Sequence, residues 1–308
     1  MTLGQLRTFL AVARAGSVRG AAAALVVTEP SVSAALGTLQ REFEVDLVER
    51  DGRGIRLTEA GQRLAERAAE ILGLVDRTGR EVREAAGAPG HLRVVAATTA
   101  GEYVLPPVLR AFLRTHPGVQ VSLEVGNRAN AIQRLLSSEA DLAVGGRPPP
   151  GSRIVGEAFL DNRLVVVAQP GHPLVRRRTV EPGWLSRETW LMREAGSGTR
   201  ETTEEFCAAK GIEPRSVMTV GSNAAIKRAA AVGLGITLLS EQAVATELAS
   251  GDLVRLPVQG TPLRRSWYVL YRDGTSLSRS AQAFLELLRS PARLHQALPD
   301  SQPAAVEA

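Results

Sequence analysis

The stretch Ser17–Arg41, SVRGAAAALVVTEPSVSAALGTLQR, reads as two helices joined by a two-residue turn. Ser17 is a good start for an alanine-rich helix, Arg19 to Leu25, because a short hydroxyl side chain accepts from a first-turn N–H that the helix itself cannot satisfy. Val26-Val27 leaves room only for a turn, and Thr28 offers a second cap. Pro30 falls in the first turn of the following helix, where its missing N–H is harmless. Val32, Leu36 and Leu39 recur at the three-to-four spacing of an inward face and carry this helix to about Arg41.

Upstream, Leu3, Leu6, Phe9, Leu10 and Ala13 predict an amphipathic helix over 3–14 that Gly16 ends. Downstream, Leu47–Arg50 and Ile55–Leu57 are short strand-like runs around Asp51-Gly52-Arg53-Gly54, the pattern of a small hairpin. Thr58 caps a long helix from Glu59 to about Ala86. Along it, Leu64, Ile71 and Ala85 lie at heptad spacing with Thr78 between them, and Ala68, Val75 and Val82 form a second row. Such a seam suits pairing between two subunits. Ala88-Pro89-Gly90 reads as a hinge.

Helix, helix, tight turn, helix and hairpin together make a winged helix-turn-helix. An α-helix fits the DNA major groove, and its N-terminal residues reach base edges. Thr28, Glu29, Pro30, Ser31 and Ser33 occupy that position in the third helix, and the wing arginines Arg50, Arg53 and Arg56 can reach phosphates or the minor groove. Charge alone would not reveal this region: residues 1–60 carry seven arginines against seven acids. Placement carries the reading.

From His91 the pattern changes to alternating strands and helices. Strands are predicted at 92–97, 119–125, 141–145, 163–168, 189–192, 216–221, 234–239, 253–258 and 266–271, with helices at 101–115, 129–137, 199–210, 223–232, 240–249 and 277–289. This alternation predicts two mainly parallel sheets with helices on both faces and a cleft between them. Four junctions are polar and glycine-rich: Thr98–Gly101, Gly126-Asn127, Gly196–Arg200 and Gly221–Asn223. In open α/β sheets ligands bind beyond the C-terminal ends of strands, where helix N-termini favour anions. Each junction is also a competent helix cap; it is their convergence on one cleft that predicts a ligand site.

A chain of 308 residues exceeds one compact core and predicts two or three folding units. No apolar run approaches the roughly 20 residues of a membrane span, and MTLGQLRTFL has no basic n-region before an apolar stretch. A cytoplasmic protein without a membrane partner is expected. The net charge of +5, almost all of its positive part arginine, fits a nucleic-acid partner. Cys207 is the only cysteine, which excludes an internal disulfide, and it is expected to be a small buried hydrophobe. His91, His116, His172 and His295 are scattered without metal-ligand spacing. There is no nucleophile elbow, phosphate-binding loop or dinucleotide fingerprint. Neither an enzyme with catalytic residues nor a resident metal or cofactor is expected.

The run from Leu6 to Gly61, L-x-x-F…V-x-R-x-G-S-V…A-A-x-x-L-x-x-T-x-P-S-V-S-x-x-L…L-V-E-R…L-T-E-A-G, resembles the signature of LysR-type transcriptional regulators. The resemblance implies that the third helix reads the major groove, that the wing touches the backbone, and that the long helix makes a dimer, with two dimers forming a tetramer. Glu29 stands where glutamine is frequent and Ala34 where arginine is frequent. Glu29 either accepts from a cytosine amino group or serves as an acidic residue at a helix start; the sequence leaves both open.

Residues 92–288 resemble that family's effector domain, a two-lobed fold like that of periplasmic binding proteins. The runs TTAGEYVLP, GRPPP, REAGSGTR, SNAAIKRAAAVGLGI and RSWYV are similar to regulators of carbon-fixation (Calvin cycle) genes, and branches responsive to sulfur or nitrogen share parts of the set. The resemblance implies a small anionic effector, such as a phosphorylated metabolite, NADPH, a 2-oxo acid or sulfite. By position Thr98, Thr99, Asn127, Ser197, Thr199, Arg200, Ser222 and Asn223 line the cleft, with Lys227 and Arg147 as lesser candidates. Expected partners are double-stranded DNA, the effector and further copies of the chain; RNA polymerase is an additional candidate. The predicted organisation is a winged helix-turn-helix at 1–58, a dimerisation helix and hinge at 59–90, a two-lobed α/β effector domain at 91–292 and a flexible tail at 293–308. A sulfur- or nitrogen-responsive regulator is the nearest alternative, and a ligand-binding protein without a regulatory role the more distant one.

Overall fold

The computed structural model describes residues 1–52 and 54–298, so Arg53 and the end of the expected tail lie outside the described residues. The chain forms two compact units, one built on Met1–Ala88 and the other beginning at Pro89.

In the first unit α1 (Leu3–Ala15), α2 (Val18–Leu25) and α3 (Glu29–Phe43) precede a hairpin of β1 (Val48–Asp51) and β2 (Gly54–Leu57), and α4 (Glu59–Ala85) follows. The caps form where hydroxyl residues stand: Thr2, Ser17, Thr28 and Thr58 each accept from a backbone N–H of the first turn. Phe9, Leu36, Leu39 and Leu47 make one small core, and Val12, Ala21, Ala22 and Val32 a second. The hinge between α2 and α3 is unusual. Val26 has φ 57 and ψ 47 and is 91% exposed. A β-branched residue is a poor choice for left-handed backbone. The expected seam on α4 is only partly free. Ala68, with Leu72, is buried against Leu6 of α1, whereas Ile71, Leu74, Val75 and Val82 remain exposed.

The second unit contains β3 (His91–Ala97), α5 (Leu105–Thr115), β4 (Gln120–Gly126), α6 (Arg128–Leu136), β5 (Leu142–Gly145), β6 (Ile154–Ala168), β7 (Thr189–Met192), α7 (Gly198–Lys210), β8 (Ser216–Thr219), α8 (Asn223–Ala231), β9 (Thr237–Ser240), α9 (Glu241–Ser250), β10 (Val254–Arg255), β11 (Leu263–Arg272), α10 (Arg279–Leu288) and α11 (Pro291–Ala297). Three expectations are corrected here. The sheets are not two separate, mainly parallel ones. A single seven-stranded sheet runs through both lobes, because β6 and β11 pair antiparallel along almost their whole length, Ile154↔Arg272 to Leu164↔Leu263. The N-terminal half of β6 belongs to lobe I, where β11 lies between it and β5; its C-terminal half belongs to lobe II beside β9 and β10. A register shift between Trp267 and Tyr268 marks the crossing; the extra residue is Phe159 of β6, which bends that strand. Among the described residues parallel ladders join β3 with β4 and β5, and β7 with β8, and isolated parallel bridges join Val180 to Val258 and Trp190 to Ile236.

The predicted helix at 101–115 begins earlier and carries a π bulge: the chain is helical without a break from Thr98 to Thr115, and Ala100–Val104 form a wide π turn in which the Leu105 N–H reaches back to the Ala100 carbonyl. Pro106 and Pro107 explain the bulge: neither has an N–H for the carbonyls one turn back, so the regular α-helical ladder is broken there. Lastly, the chain from 293 to 298 is not a tail. It belongs to α11, and Leu294 and Leu298 are buried in the lobe I core with Phe112 and Phe284. Lobe II has its own cores, one around Trp190 and Phe206 and one around Val167 and Ile226.

Candidate functional site

At the start of α3, Thr28, Glu29, Pro30, Ser31 and Ser33 are all exposed, as is Ala34, while Val32, Leu36 and Leu39 hold the opposite face in the core. The Thr28 hydroxyl accepts from the Ser31 N–H at 3.4 Å and lies 2.9 Å from the Ser31 hydroxyl. Glu29 stands in the first turn, where a carboxylate complements the helix dipole. In the wing Arg50 is exposed, and Arg56 pairs at 2.6 Å with Glu49, its partner across the hairpin.

In the second unit the ends of β3 and β7 and the start of α8 meet between the lobes. Asn223, the first residue of α8, is 0% exposed. Its Oδ1 accepts from Arg193 Nη1 at 2.5 Å, and its Nδ2 donates to Thr99 Oγ1 at 3.3 Å and Glu102 Oε2 at 2.9 Å. Thr98 donates to the Gly126 carbonyl at 2.9 Å and accepts from Arg193 Nη2 at 3.4 Å. The structure thus brings Thr98, Thr99 and Asn223 together. It also adds three residues that sequence reasoning missed: Glu102, Arg193 and Glu194. Arg193 is 2% exposed. A guanidinium so withdrawn from water needs a counter-charge, and Glu194 supplies it through two bonds of 2.8 and 3.0 Å. The signal for Arg193 was its place directly after the strand Thr189–Met192, where ligand-facing residues concentrate in such folds.

A second meeting point lies where α6 and α7 begin. The Ala129 N–H donates to the Gly196 carbonyl at 3.1 Å across the lobes. Gly196 has φ +80, and a Cβ there would stand 3.1 Å from the Ala129 methyl, so only glycine fits. Ser197 precedes α7 and is 4% exposed, yet its side chain makes no cap. Thr199 is half-buried in the first turn. Arg200 reaches the Arg193 carbonyl at 3.1 Å and Thr219 Oγ1 at 3.4 Å, and pairs with Glu204 at 2.7 Å. Arg128, not singled out by the sequence reading, chelates Glu201 at 3.1 and 2.9 Å and donates to the Arg147 carbonyl at 3.0 Å.

The remaining candidates have local work. Asn127 Oδ1 accepts from the Asn130 N–H at 2.9 Å, and Ser222 caps α8 by accepting from the Ala225 N–H at 3.1 Å. The Arg147 side chain is exposed. Lys227 donates to the Ala243 carbonyl at 2.9 Å, pairs with Glu247 at 2.7 Å and lies over the Tyr103 ring at 5.2 Å. Burial would lower its pKa, but the bonds to Glu247 and Tyr103 outweigh this and hold it above the ordinary lysine value. Cys207 is buried in the lobe II core, and burial pushes its thiol up to about 11, which keeps it unreactive. Among the described residues no cluster of His, Cys, Asp and Glu has the makings of a metal site.

Residues 3–62 match the bacterial regulatory helix-turn-helix proteins of the lysR family, and residues 85–293 match the LysR substrate binding domain. The RuBisCO operon transcriptional regulator of Allochromatium vinosum is 40% identical over 96% of this chain and 98% of its own. The regulatory domain of CcmR from Synechocystis PCC6803, solved in complex with 2-PG, is 36% identical, with a TM-score of 0.63 over 70% of this chain and all of that one. Full-length CbnR, a structure solved with its target DNA, is 27% identical, with a TM-score of 0.64 over 94% of this chain and 99% of its own. With a matching DNA-reading domain at one end and a matching sensor domain over most of the rest, the chain belongs to the LysR family of transcriptional regulators.

Proposed function

We propose that this regulator acts in the cytoplasm on carbon-fixation genes and answers to a small phosphorylated acid held between the two lobes. The observation that carries the effector reading is the start of α7. Ser197 leaves the first N–H groups of that helix without a side-chain cap; the Arg128 stem lies against Gly198, and Arg200 belongs to the same first turn and reaches the Arg193 carbonyl. Free N–H groups at a helix start, together with guanidinium forks, suit an anion. The CcmR domain holding 2-PG supports a phosphorylated acid over NADPH, a 2-oxo acid or sulfite, and the RuBisCO operon regulator supports the gene set.

On the DNA side, Thr28, Glu29, Pro30, Ser31 and Ser33 reach base edges, while Arg50, Arg53 and Arg56 contact the backbone. Arg56 exchanges Glu49 for phosphate as it binds. The exposed row Ile71, Leu74, Val75 and Val82 on α4 makes the dimer, and two dimers make a tetramer.

The first test is a thermal-shift panel on the full chain with 2-phosphoglycolate, 3-phosphoglycerate, NADPH, 2-oxoglutarate and sulfite, paired with gel shifts on the intergenic DNA beside its own gene. A ligand at a hundred times its Kd stabilises by ~2.7 kcal/mol. The reading expects a phosphorylated acid to shift the melt and to alter the DNA complex. A shift by sulfite or 2-oxoglutarate alone moves the protein to a sulfur- or nitrogen-responsive branch.

A further inference from the structure

Charges in the cleft are already paired. Arg193 is held by Glu194, Arg200 by Glu204 and Arg128 by Glu201. Only the last of these three pairs joins the lobes, since Arg128 begins α6 in lobe I and Glu201 lies in the first turn of α7 in lobe II. The stem of Arg128 lies against the first residue of α7: a Cβ on Gly198 would stand 3.2 Å from Arg128 Cδ. Glu201 therefore places a carboxylate where a helix start and a guanidinium converge, the surroundings that stabilise an anion. It is a tethered anion beside the uncapped start of α7.

We propose that Glu201 is a built-in competitor of the effector and that Arg128 is the charge for which they compete. This rests on the reading of the effector as an anion. When the effector's anionic group enters at the start of α7, it takes over the Arg128 guanidinium and Glu201 swings to solvent. Two details favour the exchange. The Glu201 side chain is already 46% exposed, so its release leaves no buried charge behind. Arg128 keeps its bond to the Arg147 carbonyl at 3.0 Å, so the fork stays aimed after Glu201 leaves. The exchange removes a cross-lobe tie and replaces it with a ligand held from both sides, which couples occupancy to lobe arrangement. It also sets a threshold, because the ligand binds only the fraction of molecules in which Arg128 is free.

Calorimetric titration of the full chain with 2-phosphoglycolate tests this, using Glu201→Gln, Arg128→Gln and the double variant. Glu201→Gln is expected to bind about fivefold tighter, the scale of a partly exposed ion pair. Arg128→Gln is expected to bind about tenfold weaker, and adding Glu201→Gln to it brings no gain. Wild-type binding with no tightening in Glu201→Gln overturns the exchange and leaves the anion reading standing. So does a gain that persists without Arg128. If neither wild type nor Glu201→Gln binds, and no other anion shifts the melt, the anion reading falls and the exchange falls with it. Should Arg128→Gln fail to fold, Glu201→Gln alone decides, with Arg128→Lys keeping the charge but not the fork.

Discussion

Helix starts in the two units are finished differently. In the DNA-binding unit every hydroxyl that stands at a helix start is used there: Thr2, Ser17, Thr28 and Thr58 all accept from their own first turn. In the sensor Ser222 and Ser278 do the same, but Ser197, Ser240 and Ser290 do not, and the Ser240 hydroxyl is buried without a partner. The helices left so are α7 and α9 in lobe II and α11 in lobe I. A scaffold that must hold one shape satisfies its polar groups close by in sequence. A sensor leaves some for a ligand and satisfies others across its lobes, as Asn223 does with Thr99 and Glu102.

The largest effect is expected where this contrast is sharpest. Asn223→Ala removes three bonds at once and leaves the buried Arg193 and Thr99 short of partners. It should cost the sensor about 3 kcal/mol, since orphaned buried groups, charged ones above all, are expensive. Urea unfolding measures this, and a loss no greater than that of a surface substitution would show that the cluster is not buried as described. A matched pair comes next. Thr58→Ala should cost ~1 kcal/mol, because its hydroxyl caps α4 and also donates to the Asp46 carbonyl at 2.7 Å. Ser197→Ala should leave stability within about 0.5 kcal/mol and weaken effector binding instead. Equal stability losses in the two variants would break the comparison.

The smallest effect concerns pH. Hydroxyl caps do not titrate, whereas long-range carboxylate partners do. Arg289 and Tyr271 hold the Glu157 carboxyl below its ordinary pKa, through bonds of 2.7 and 2.6 Å from Arg289 and 2.5 Å from Tyr271. A depressed carboxyl pKa stabilises fully above the ordinary glutamate value, and the contribution fades as pH falls through the depressed one. Glu157→Gln should therefore flatten the acid side of the sensor's stability profile, by a few tenths of a kcal/mol for so exposed a cluster. Thr58→Ala should leave that slope alone.

The same contrast explains what could be read from the sequence. In the first unit the deciding chemistry is local: a cap and its N–H are three residues apart, so SVRGAAAALVVTEPSVSAALGTLQR already contains its own helix boundaries. Most of the sensor's helices and strands were legible for the same reason, but α11 was not, since 293–297 read as tail. The sensor's site was legible only in part. Thr98, Thr99 and Asn223 announced themselves at strand ends. Arg193 also follows a strand end, but its role, like that of Arg128, depends on a distant residue: Asn223 and Glu201 stand 30 and 73 residues away. The single sheet was hidden too, since no local pattern tells that β6 and β11 pair across the whole sensor.

That pairing has a mechanical consequence. Lobe I is assembled from both ends of the sensor and lobe II from its middle, and the two are linked by adjacent strands hydrogen-bonded to each other through the crossing. Such a ribbon does not swivel about one bond. It twists as a whole, as two-stranded ribbons readily do, so each increment of lobe movement strains a continuous run of backbone hydrogen bonds. The sensor is then a torsion spring rather than a door on a pin, and its resting angle is written in the residues of two strands that carry none of the candidate site residues.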